Sequence, residues 1–367
     1  MDKRLALITL HAVKNYGSVL QTYATQCYFE KLGYDVTVLD FRRPWETRMG
    51  YWLYLADKTP KGIVKNIMYL PSKVLQYIKF NRFLKKRINL SDKSYTRAKS
   101  VKDDSINANV YCTGSDQVWN SGWNRGVIPE YFLNFVEKRN EIKKISFASS
   151  FGNSDIDTEE QKIIGSLLRD YDLITVRERK SADKIETLFG IKACEILDPT
   201  LQMDEMFWRK FSRPKRSIAY KYILLIQLNR NHAFDDKACE FAHEKDLPLV
   251  RLCLRVDQIV LPGKCIVLPE VEQYVELIAN SEYVLTDSFH AISFCLNLNK
   301  QFYCYYPEQY SERLRNILEI TGLEDRILDD RTKMDDKEID YPRVNALIQE
   351  KRREAKAILE GVLCHEN

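Results

Sequence analysis

His290 is the residue best suited to acid–base chemistry, because imidazole exchanges protons near neutral pH. It is one of five histidines, and it lies just after the apolar run 283–286, where a strand is predicted to end and a helix to begin near Ala291. A helix N-terminus disfavours imidazolium, so the Asp287 carboxylate or a bound multivalent anion would have to restore its proton affinity. The competing interpretation is a buried histidine that bonds to a backbone carbonyl.

Three polar turns, at 15–18, 114–117 and 287–290, offer anion-binding chemistry, and each follows a predicted strand. Ligands of open α/β sheets bind outside the carboxyl ends of strands, where helix N-termini present free N–H groups and a positive dipole end. No turn carries a G-x-G-x-x-G or Walker pattern, so the dinucleotide and P-loop fingerprints are missing. The binding candidates in these turns are Asn15, Tyr16, Gly17, Ser115, Asp116, Gln117 and Ser288.

Two arginines are further candidates for binding an anion. Arg177 ends a predicted strand, where its planar fork can hold a carboxylate or phosphate; the alternative is a surface ion pair with Glu178 or Asp172. Arg313 lies at the start of a predicted helix, and its alternative is a solvated helix arginine.

Asp116 and His11 each have two interpretations. Asp116 is either a base or the cap of the next helix. His11 follows the first predicted strand, and it is either a second binding residue or an ordinary core or loop histidine.

These residues need an alternating α/β framework to position them. Apolar runs predict strands at 5–10, 36–40, 110–113, 144–148, 173–176, 222–226, 249–252 and 283–286. Helical patterns lie between several of them, including 159–169, 233–245 and 271–280. This alternation predicts parallel sheets in two α/β domains. The predicted division is 1–210, 211–342 and a C-terminal helix over 343–367.

The composition is that of an ordinary globular protein, with 45% apolar and 29% charged residues in a chain of 367. The formal charge is only +4, so a dedicated nucleic-acid binder is not expected. No apolar run approaches the ~18 residues of a spanning helix. The start of the chain runs straight into a predicted strand, so we expect no secretory signal.

The cysteines argue against a metal site. There are nine, none is arranged as C-x-x-C, and most lie in apolar runs. We interpret them as reduced residues of a cytoplasmic protein and expect no zinc or iron–sulfur site.

Residues 58–99 form a basic segment within the predicted first domain. They contain twelve Lys or Arg residues and one acidic residue, Asp92, interleaved with large apolar residues. Pro71 is predicted to divide the segment into two helices. The alternatives are amphipathic helices with a solvated basic face, or a surface for anionic lipid head groups.

Together the motifs resemble those of the polysaccharide pyruvyl transferases over about residues 5–330. The family's marks are N-Y-G-[AS]-x-L-Q, G-S-D-Q-[VI]-W-N, V-R-E, D-P-T-L and T-D-S-F-H. This chain has them in that order, at 15–21, 114–120, 176–178, 198–201 and 286–290.

The resemblance implies two Rossmann-like domains that face a central cleft, as in GT-B glycosyltransferases. It also implies transfer of pyruvate from phosphoenolpyruvate onto two hydroxyls of a sugar, as a cyclic ketal on a cell-surface polysaccharide precursor. His290 would be the general acid, Arg177 and Arg313 would hold donor anions, and no cofactor or metal would be needed. In better-understood members an arginine stands where this chain has Ser288, and a glycine where it has Ala291.

Two other functions remain open. One is a GT-B-like glycosyltransferase that uses a nucleotide sugar, and the other is a non-catalytic, carbohydrate-binding member of the family. For the leading interpretation the partners are phosphoenolpyruvate and a saccharide acceptor, with no nucleic acid. A lipid-linked acceptor would bring this cytoplasmic protein to the inner membrane face.

Overall fold

The computed structural model describes residues 3–53, 59–96, 101–102, 106–137, 139–152, 155–212, 216–305, 311–328, 334 and 337–363. The chain forms two compact units. The first contains Met1–Leu53, Leu84–Gln202 and Gln349–Asn367, and the second contains Tyr54–Phe83 and Met203–Ile348.

The first unit is built on a parallel sheet of five strands in the order β3-β2-β1-β4-β5. These strands are β1 (Arg4–Ile8), β2 (Asp35–Phe41), β3 (Leu90–Tyr95), β4 (Val110–Thr113) and β5 (Lys143–Ser146). Two short strands, β6 (Thr175–Val176) and β7 (Cys194–Glu195), pair with each other. Single bridges, including Ser149 with Val176, join β6 to the end of β5.

The second unit contains a parallel sheet of six strands in the order β10-β9-β8-β11-β12-β13. They are β8 (Ile223–Ile226), β9 (Leu249–Cys253), β10 (Lys264–Val267), β11 (Tyr283–Thr286), β12 (Gln301–Tyr305) and β13 (Ile327–Leu328). This order is that of the doubly wound Rossmann fold.

Helices connect the strands, as parallel pairing requires. In the first unit they are α1 (Tyr16–Lys31), α2 (Arg48–Leu53), α5 (Ser121–Asn124), α6 (Thr158–Leu168), α7 (Arg179–Phe189) and α8 (Pro199–Gln202). In the second they are α3 (Pro60–Met68), α9 (Glu205–Phe211), α10 (His232–Glu244), α11 (Val271–Asn280), α12 (Phe289–Asn297) and α13 (Ser311–Thr321). Two helices cross the division between the units, α4 (Leu70–Arg87) and α14 (Tyr341–Leu363).

Buried apolar strands hold each sheet in place. Every residue of β8 is buried, as expected for a parallel strand covered on both faces. Aromatic side chains fill the cores: Trp119 stacks on Phe132 in the first unit, with ring centroids 5.3 Å apart. In the second unit Phe241 packs edge-on against Tyr303.

The observed units differ from the predicted boundaries because Tyr54–Phe83, which contains most of the basic segment, belongs to the second unit. Pro71 does lie at the start of a second helix, as predicted, and the break between α3 and α4 falls at Tyr69. Within α4, Gln76 Nε2 donates to Leu254 O at 3.2 Å. Lys79 Nζ donates to Leu268 O at 2.5 Å. The structure describes 59–96 of this segment; residues 58 and 97–99 lie outside the described part.

The described residues contain neither a membrane-spanning helix nor a cluster of metal-ligating side chains. No helix there is both long and apolar enough to span a membrane. No three His, Cys, Asp or Glu side chains there are grouped to hold a metal ion. The cysteines of this part of the chain are free thiols.

Candidate functional site

Both large sheets reverse their strand order in the middle, and the predicted polar turns lie at those places. In the first sheet β1 and β4 are neighbours at the reversal, and the turns 15–18 and 114–117 follow them. In the second sheet β8 and β11 are the equivalent pair, and the turn 287–290 follows β11. Ligands of open parallel sheets bind at such switch points. The predicted residues of these three turns are therefore divided between the two units.

The first turn of α1 is bonded to the turn after β4. Asn15 is the N-cap of α1, and its Oδ1 accepts from the Gly17 N–H at 2.8 Å. Ser18 Oγ donates to Asp116 Oδ2 at 2.6 Å. Tyr16 is buried. Because the Gly17 amide already donates to Asn15, an anion at this helix end would have to compete with the cap.

The turn that carries Asp116 begins where the residues just after β4 pass close to the residues just after β1. A Cβ on Gly114 would lie 2.8 Å from Thr9 Cβ, so this position requires glycine. Thr9 Oγ1 also donates to Ser115 O at 2.9 Å. Asp116 itself has φ 72°, a left-handed conformation that is strained for a side-chain-bearing residue. The backbone and the bond from Ser18 together hold its carboxylate in one direction.

Arg177 is buried among three carboxylates, and its side chain is 2% exposed. Nε donates to Glu178 Oε1 and Nη1 donates to Asp198 Oδ2, both at 3.0 Å. Nη2 lies 3.8 Å from Asp116 Oδ1. Ser115 Oγ donates to the same Asp198 oxygen at 3.1 Å. Four of the five sequence motifs are thus linked through Arg177, Asp116 and their partners.

In the free protein the positive charge of Arg177 is balanced by the carboxylates around it. Burial by itself would lower the pKa of Arg177, but the carboxylates of Glu178, Asp198 and Asp116 outweigh it and hold the pKa above its ordinary value. The predicted ion pair with Glu178 is therefore present, although it is buried instead of lying at the surface. An anionic ligand would have to share a guanidinium that carboxylates already surround.

The turn after Asp116 continues into α5 through a chain of amide contacts. Gln117 Oε1 accepts from Asn120 Nδ2 at 2.6 Å. Asn120 Oδ1 accepts from the Trp123 N–H at 2.9 Å, which makes Asn120 the N-cap of α5. The alternative that Asp116 caps the next helix is therefore wrong.

His11 lies in a separate buried network of the first unit, and its side chain is fully buried. Nε2 lies 2.8 Å from Asp40 Oδ1, and Nδ1 lies 3.2 Å from Thr9 O. Arg42 Nε donates to the same Asp40 oxygen at 2.7 Å, and Ser94 Oγ donates to the other.

Burial and neighbouring charges shift the pKa values of two groups here, Asp40 and Lys14. Burial alone would raise the pKa of Asp40, but the bond and charge of His11, with Ser94 and Arg42, hold it well below its ordinary value. Lys14 precedes the cap of α1, and burial, aided by the Arg42 charge, lowers its pKa to about 8. An amine with that pKa is partly neutral under physiological conditions.

The polar turn of the second unit begins with Asp287 at the end of β11. Asp287 Oδ1 accepts from the Leu228 N–H at 2.6 Å, and Oδ2 accepts from the Asn229 N–H at 2.8 Å. Burial raises the pKa of Asp287, although these donors act to lower it. Both of its oxygens hold the loop after β8. These bonds to the loop explain the position of the Asp287 carboxylate. An interaction with His290 is not needed to explain it.

His290 lies in the first turn of α12, and 8% of the residue is exposed. Ser288 caps this helix: its Oγ accepts from the Ala291 N–H at 3.4 Å. The Ser288 N–H donates to Thr286 Oγ1 at 3.0 Å. The ring of Phe289 packs edge-on against the His290 ring, with centroids 5.2 Å apart. His290 therefore lies at a helix N-terminus, as its position in the sequence predicted, and a small part of its surface is exposed.

Arg313 belongs to the same unit as His290 and lies in α13 with a partly exposed side chain. His290 and Arg177 belong to different units. The structure thus brings Ser115, Asp116 and Arg177 together, while His11 belongs to its own network.

Several polar residues of these networks were not predicted. Asp198 and Ser18 lie inside motifs whose other members were chosen, so the motifs themselves contained the signal. Lys14 directly precedes the first motif, and Asp40 ends the second predicted strand; nothing local to either residue showed its partners.

Three solved structures to which this chain is similar are two UDP-N-acetylglucosamine 2-epimerases and a glycosyltransferase, all at low sequence identity. A Listeria monocytogenes structure described as a UDP-N-acetylglucosamine 2-epimerase has a TM-score of 0.51 and 8% identity, covering 99% of this chain and 91% of its own. The UDP-GlcNAc 2-epimerase of Methanocaldococcus jannaschii has a TM-score of 0.49 and 12% identity, covering 96% and 93%. The glycosyltransferase SnogD of Streptomyces nogalater has 0.44 and 10%, covering 98% and 96%. The likeness to the Listeria monocytogenes structure concerns the fold alone, which is α/β and GT-B-like.

The sequence itself identifies the family of this protein, which the structural likenesses do not. No curated protein matches it significantly. The family model for polysaccharide pyruvyl transferases matches residues 15–309, which is most of the chain and includes the polar turns of both units. The protein therefore belongs to the polysaccharide pyruvyl transferase family, and this membership supports a pyruvyl-transfer role on polysaccharide.

Proposed function

We propose that this protein transfers pyruvate from phosphoenolpyruvate onto two hydroxyls of one sugar, forming a cyclic ketal on a precursor of a cell-surface polysaccharide. The observation that carries the proposal is the family match across 15–309. Phosphoenolpyruvate is the donor substrate in this scheme, and the proposal includes no cofactor or metal.

The chemistry sets the requirements for the site. One hydroxyl adds to C2 of the enol, and C3 takes up a proton. The second hydroxyl then displaces phosphate from C2, so that donor and diol yield the ketal and inorganic phosphate. The reaction needs a proton donor for C3, a base for the hydroxyl protons and fixed positive charge for a nearly trivalent anion.

His290 is the proposed proton donor. It lies at the carboxyl end of β11 and keeps 8% of its surface exposed. The positive end of α12 supports binding of an anion beside it. The negative charge of phosphoenolpyruvate would in turn favour the protonated ring, which is the form that the step consumes. Arg313, in the same unit, is the proposed side-chain contact for the donor.

Asp116 is the proposed base for the acceptor hydroxyl. Its strained backbone and the bond from Ser18 fix the carboxylate at the switch point of the first sheet. Arg177 lies 3.8 Å from its other oxygen. We therefore assign Arg177 a positioning role for Asp116 in addition to the anion-binding role that the sequence suggested.

The decisive test is release of inorganic phosphate from phosphoenolpyruvate in the presence of saccharide acceptors. The expected result is acceptor-dependent release together with a mass gain of the pyruvate ketal on the sugar. Release of nucleotide from a UDP-sugar, with no turnover of phosphoenolpyruvate, would favour the glycosyltransferase alternative. Saccharide binding without turnover of either donor would favour the non-catalytic one.

We further propose that α3 and α4 bring the protein to an anionic membrane surface, where a lipid-linked acceptor would be found. Seven large apolar side chains of these two helices are exposed: Ile63, Val64, Ile67, Met68, Leu70, Val74 and Ile78. Apolar side chains exposed together in this way are typical of an interaction surface.

The arrangement of α4 shows which side faces outward. Leu70, Val74 and Ile78 recur every four residues and are exposed, so they share one face of the helix. Towards the C-terminal end of the same helix Arg82, Lys85 and Lys86 are exposed. Exposed apolar residues followed along a helix by exposed basic ones fit a lipid surface with negative head groups.

A further inference from the structure

Two tryptophans and two arginines form a stack in the first unit that the proposed chemistry does not use. The Arg43 guanidinium carbon lies 4.5 Å from the ring centroid of Trp123 and 5.2 Å from that of Trp45. The Arg125 guanidinium carbon lies 5.1 Å from the Trp45 ring. Cations at these distances are attracted to the faces of the rings. We call these four residues the Trp–Arg stack.

The centre of the stack is buried and its outer part is open to solvent. The Arg43 side chain is 2% exposed, whereas Trp123 is 43% exposed and Arg125 is also exposed. Because the Arg43 guanidinium covers one face of the Trp123 ring, the exposed area of Trp123 belongs to its other face and edge. A large aromatic surface is therefore presented to solvent on a buried support.

Hydrogen bonds to Arg43 make this support rigid. Nη1 donates to Asn124 Oδ1 at 2.6 Å, and Nη2 donates to Glu46 Oε1 at 2.5 Å. Glu46 Oε2 also accepts from the backbone N–H of Arg43 at 3.0 Å. Asn124 is itself anchored, because its Nδ2 donates to Val118 O at 2.8 Å. A ring held in this way loses little conformational freedom when a ligand stacks on it.

The stack is connected directly to the motif that carries the proposed base. The backbone N–H of Trp123 donates to Asn120 Oδ1, and Asn120 Nδ2 donates to Gln117 Oε1 at 2.6 Å; Gln117 is the neighbour of Asp116. Arg43 and Trp45 follow β2, and Trp123 follows β4. Since β2 and β4 are the two neighbours of β1, the stack is built from the segments on both sides of the switch-point strand.

We propose that the exposed face of Trp123, with Arg125 beside Trp45, is the surface on which a hexopyranose unit of the acceptor stacks. The C–H hydrogens on one side of a pyranose ring carry partial positive charge, and an indole face carries the complementary negative potential. The Arg125 guanidinium supplies hydrogen-bond donors to the sugar oxygens at the ring's edge. The inference deepens the proposed function, on which it rests for the choice of a saccharide.

Saccharide binding tests the inference without any transfer reaction. The probes are the methyl glycosides of glucose, galactose, mannose and N-acetylglucosamine, followed by saturation-transfer NMR on the full-length protein. We expect saturation at the C–H hydrogens of one ring face of at least one probe. Trp123→Ala should weaken that binding about tenfold, the effect of one lost aromatic contact. Trp123→Phe should restore part of it.

Trp52→Ala is the matched control, because Trp52 is also exposed, at 36%, but lies outside the stack. It should bind the probes as the unaltered protein does. Arg125→Gln provides a second variant that leaves both rings in place, and it should weaken binding as well. The inference is overturned if no probe binds, or if Trp123→Ala and Trp52→Ala behave alike. Binding at Trp123 without phosphoenolpyruvate turnover would refute the proposed function and leave this surface assigned.

Discussion

The Arg177 guanidinium donates to the Asp198 carboxylate, with Nη1 and Oδ2 3.0 Å apart in a buried ion pair. These residues are 21 positions apart. Asp198 also accepts from Ser115 and from the Thr200 N–H and hydroxyl, so each of its oxygens is used. The pair therefore links the turn after β4, the end of β6 and the start of α8 to one another.

Arg177→Ala should destabilise the first unit, because it leaves several carboxylates buried without their cation. Removing one partner of a buried ion pair costs about 3–5 kcal/mol, measurable by urea unfolding. Arg179→Ala is the control: that arginine pairs with Asp183 at the surface and is 72% exposed, so its loss should have little effect. If the two variants unfold alike, Arg177 does not support the cluster. Measuring phosphoenolpyruvate binding on the folded variant then tests its proposed contact with the donor.

His290→Gln should lower turnover by about 10²–10⁴-fold, the usual contribution of a general acid. Because glutamine can still bond to neighbours, donor binding and thermal stability should change far less than kcat. His243→Gln serves as control, since His243 is exposed on α10. Steady-state phosphate release gives both parameters. Nearly normal turnover in His290→Gln would make His290 a structural residue.

Lys14→Met should change how stability depends on pH. The pKa of Lys14 is lowered to about 8 in the folded protein and returns to about 10.5 on unfolding. Between these values the unfolded chain binds more protons, so this residue makes the folded state more stable as pH rises. Relative to Lys14→Met, the unaltered protein should gain about 3 kcal/mol of unfolding free energy from pH 8 to 10.5. Denaturation at several pH values measures the difference, with exposed Lys85→Met as control. A constant difference would show that Lys14 is not buried as a neutral amine.

Strong apolar patterns made much of the fold predictable. The helix at 271–280 and the strands at 110–113 and 283–286 have the predicted limits. By contrast, β3 is an edge strand whose four middle residues are all polar. It pairs with β2 through its backbone and through Ser94 and Asp40. Local hydrophobic periodicity therefore contains no signal for it.

The site shows the same limit more clearly. That the polar turns would lie at strand ends follows from alternation of strands and helices. Their partners do not follow: Ser18 and Asp116 are 98 positions apart, and Arg43 and Asn124 are 81 apart. Such pairs depend on which strands become neighbours, so a single sequence identifies the polar residues without showing that Arg177 is already neutralised.

The basic face of α4 leads to the last prediction. Each Lys or Arg near an anionic leaflet contributes about 1 kcal/mol, so Lys85, Lys86 and Arg87→Gln together should weaken vesicle binding about 100-fold. Co-sedimentation with anionic and neutral vesicles measures it, and binding to the anionic ones should fall as salt is added. Lys351, Arg353 and Lys356→Gln on α14 is the matched control, because Lys351 and Lys356 there pair with Glu354 and Glu360. Equal binding to both kinds of vesicle, or the same loss in both triple variants, would mean that α4 is only a solvated helix face.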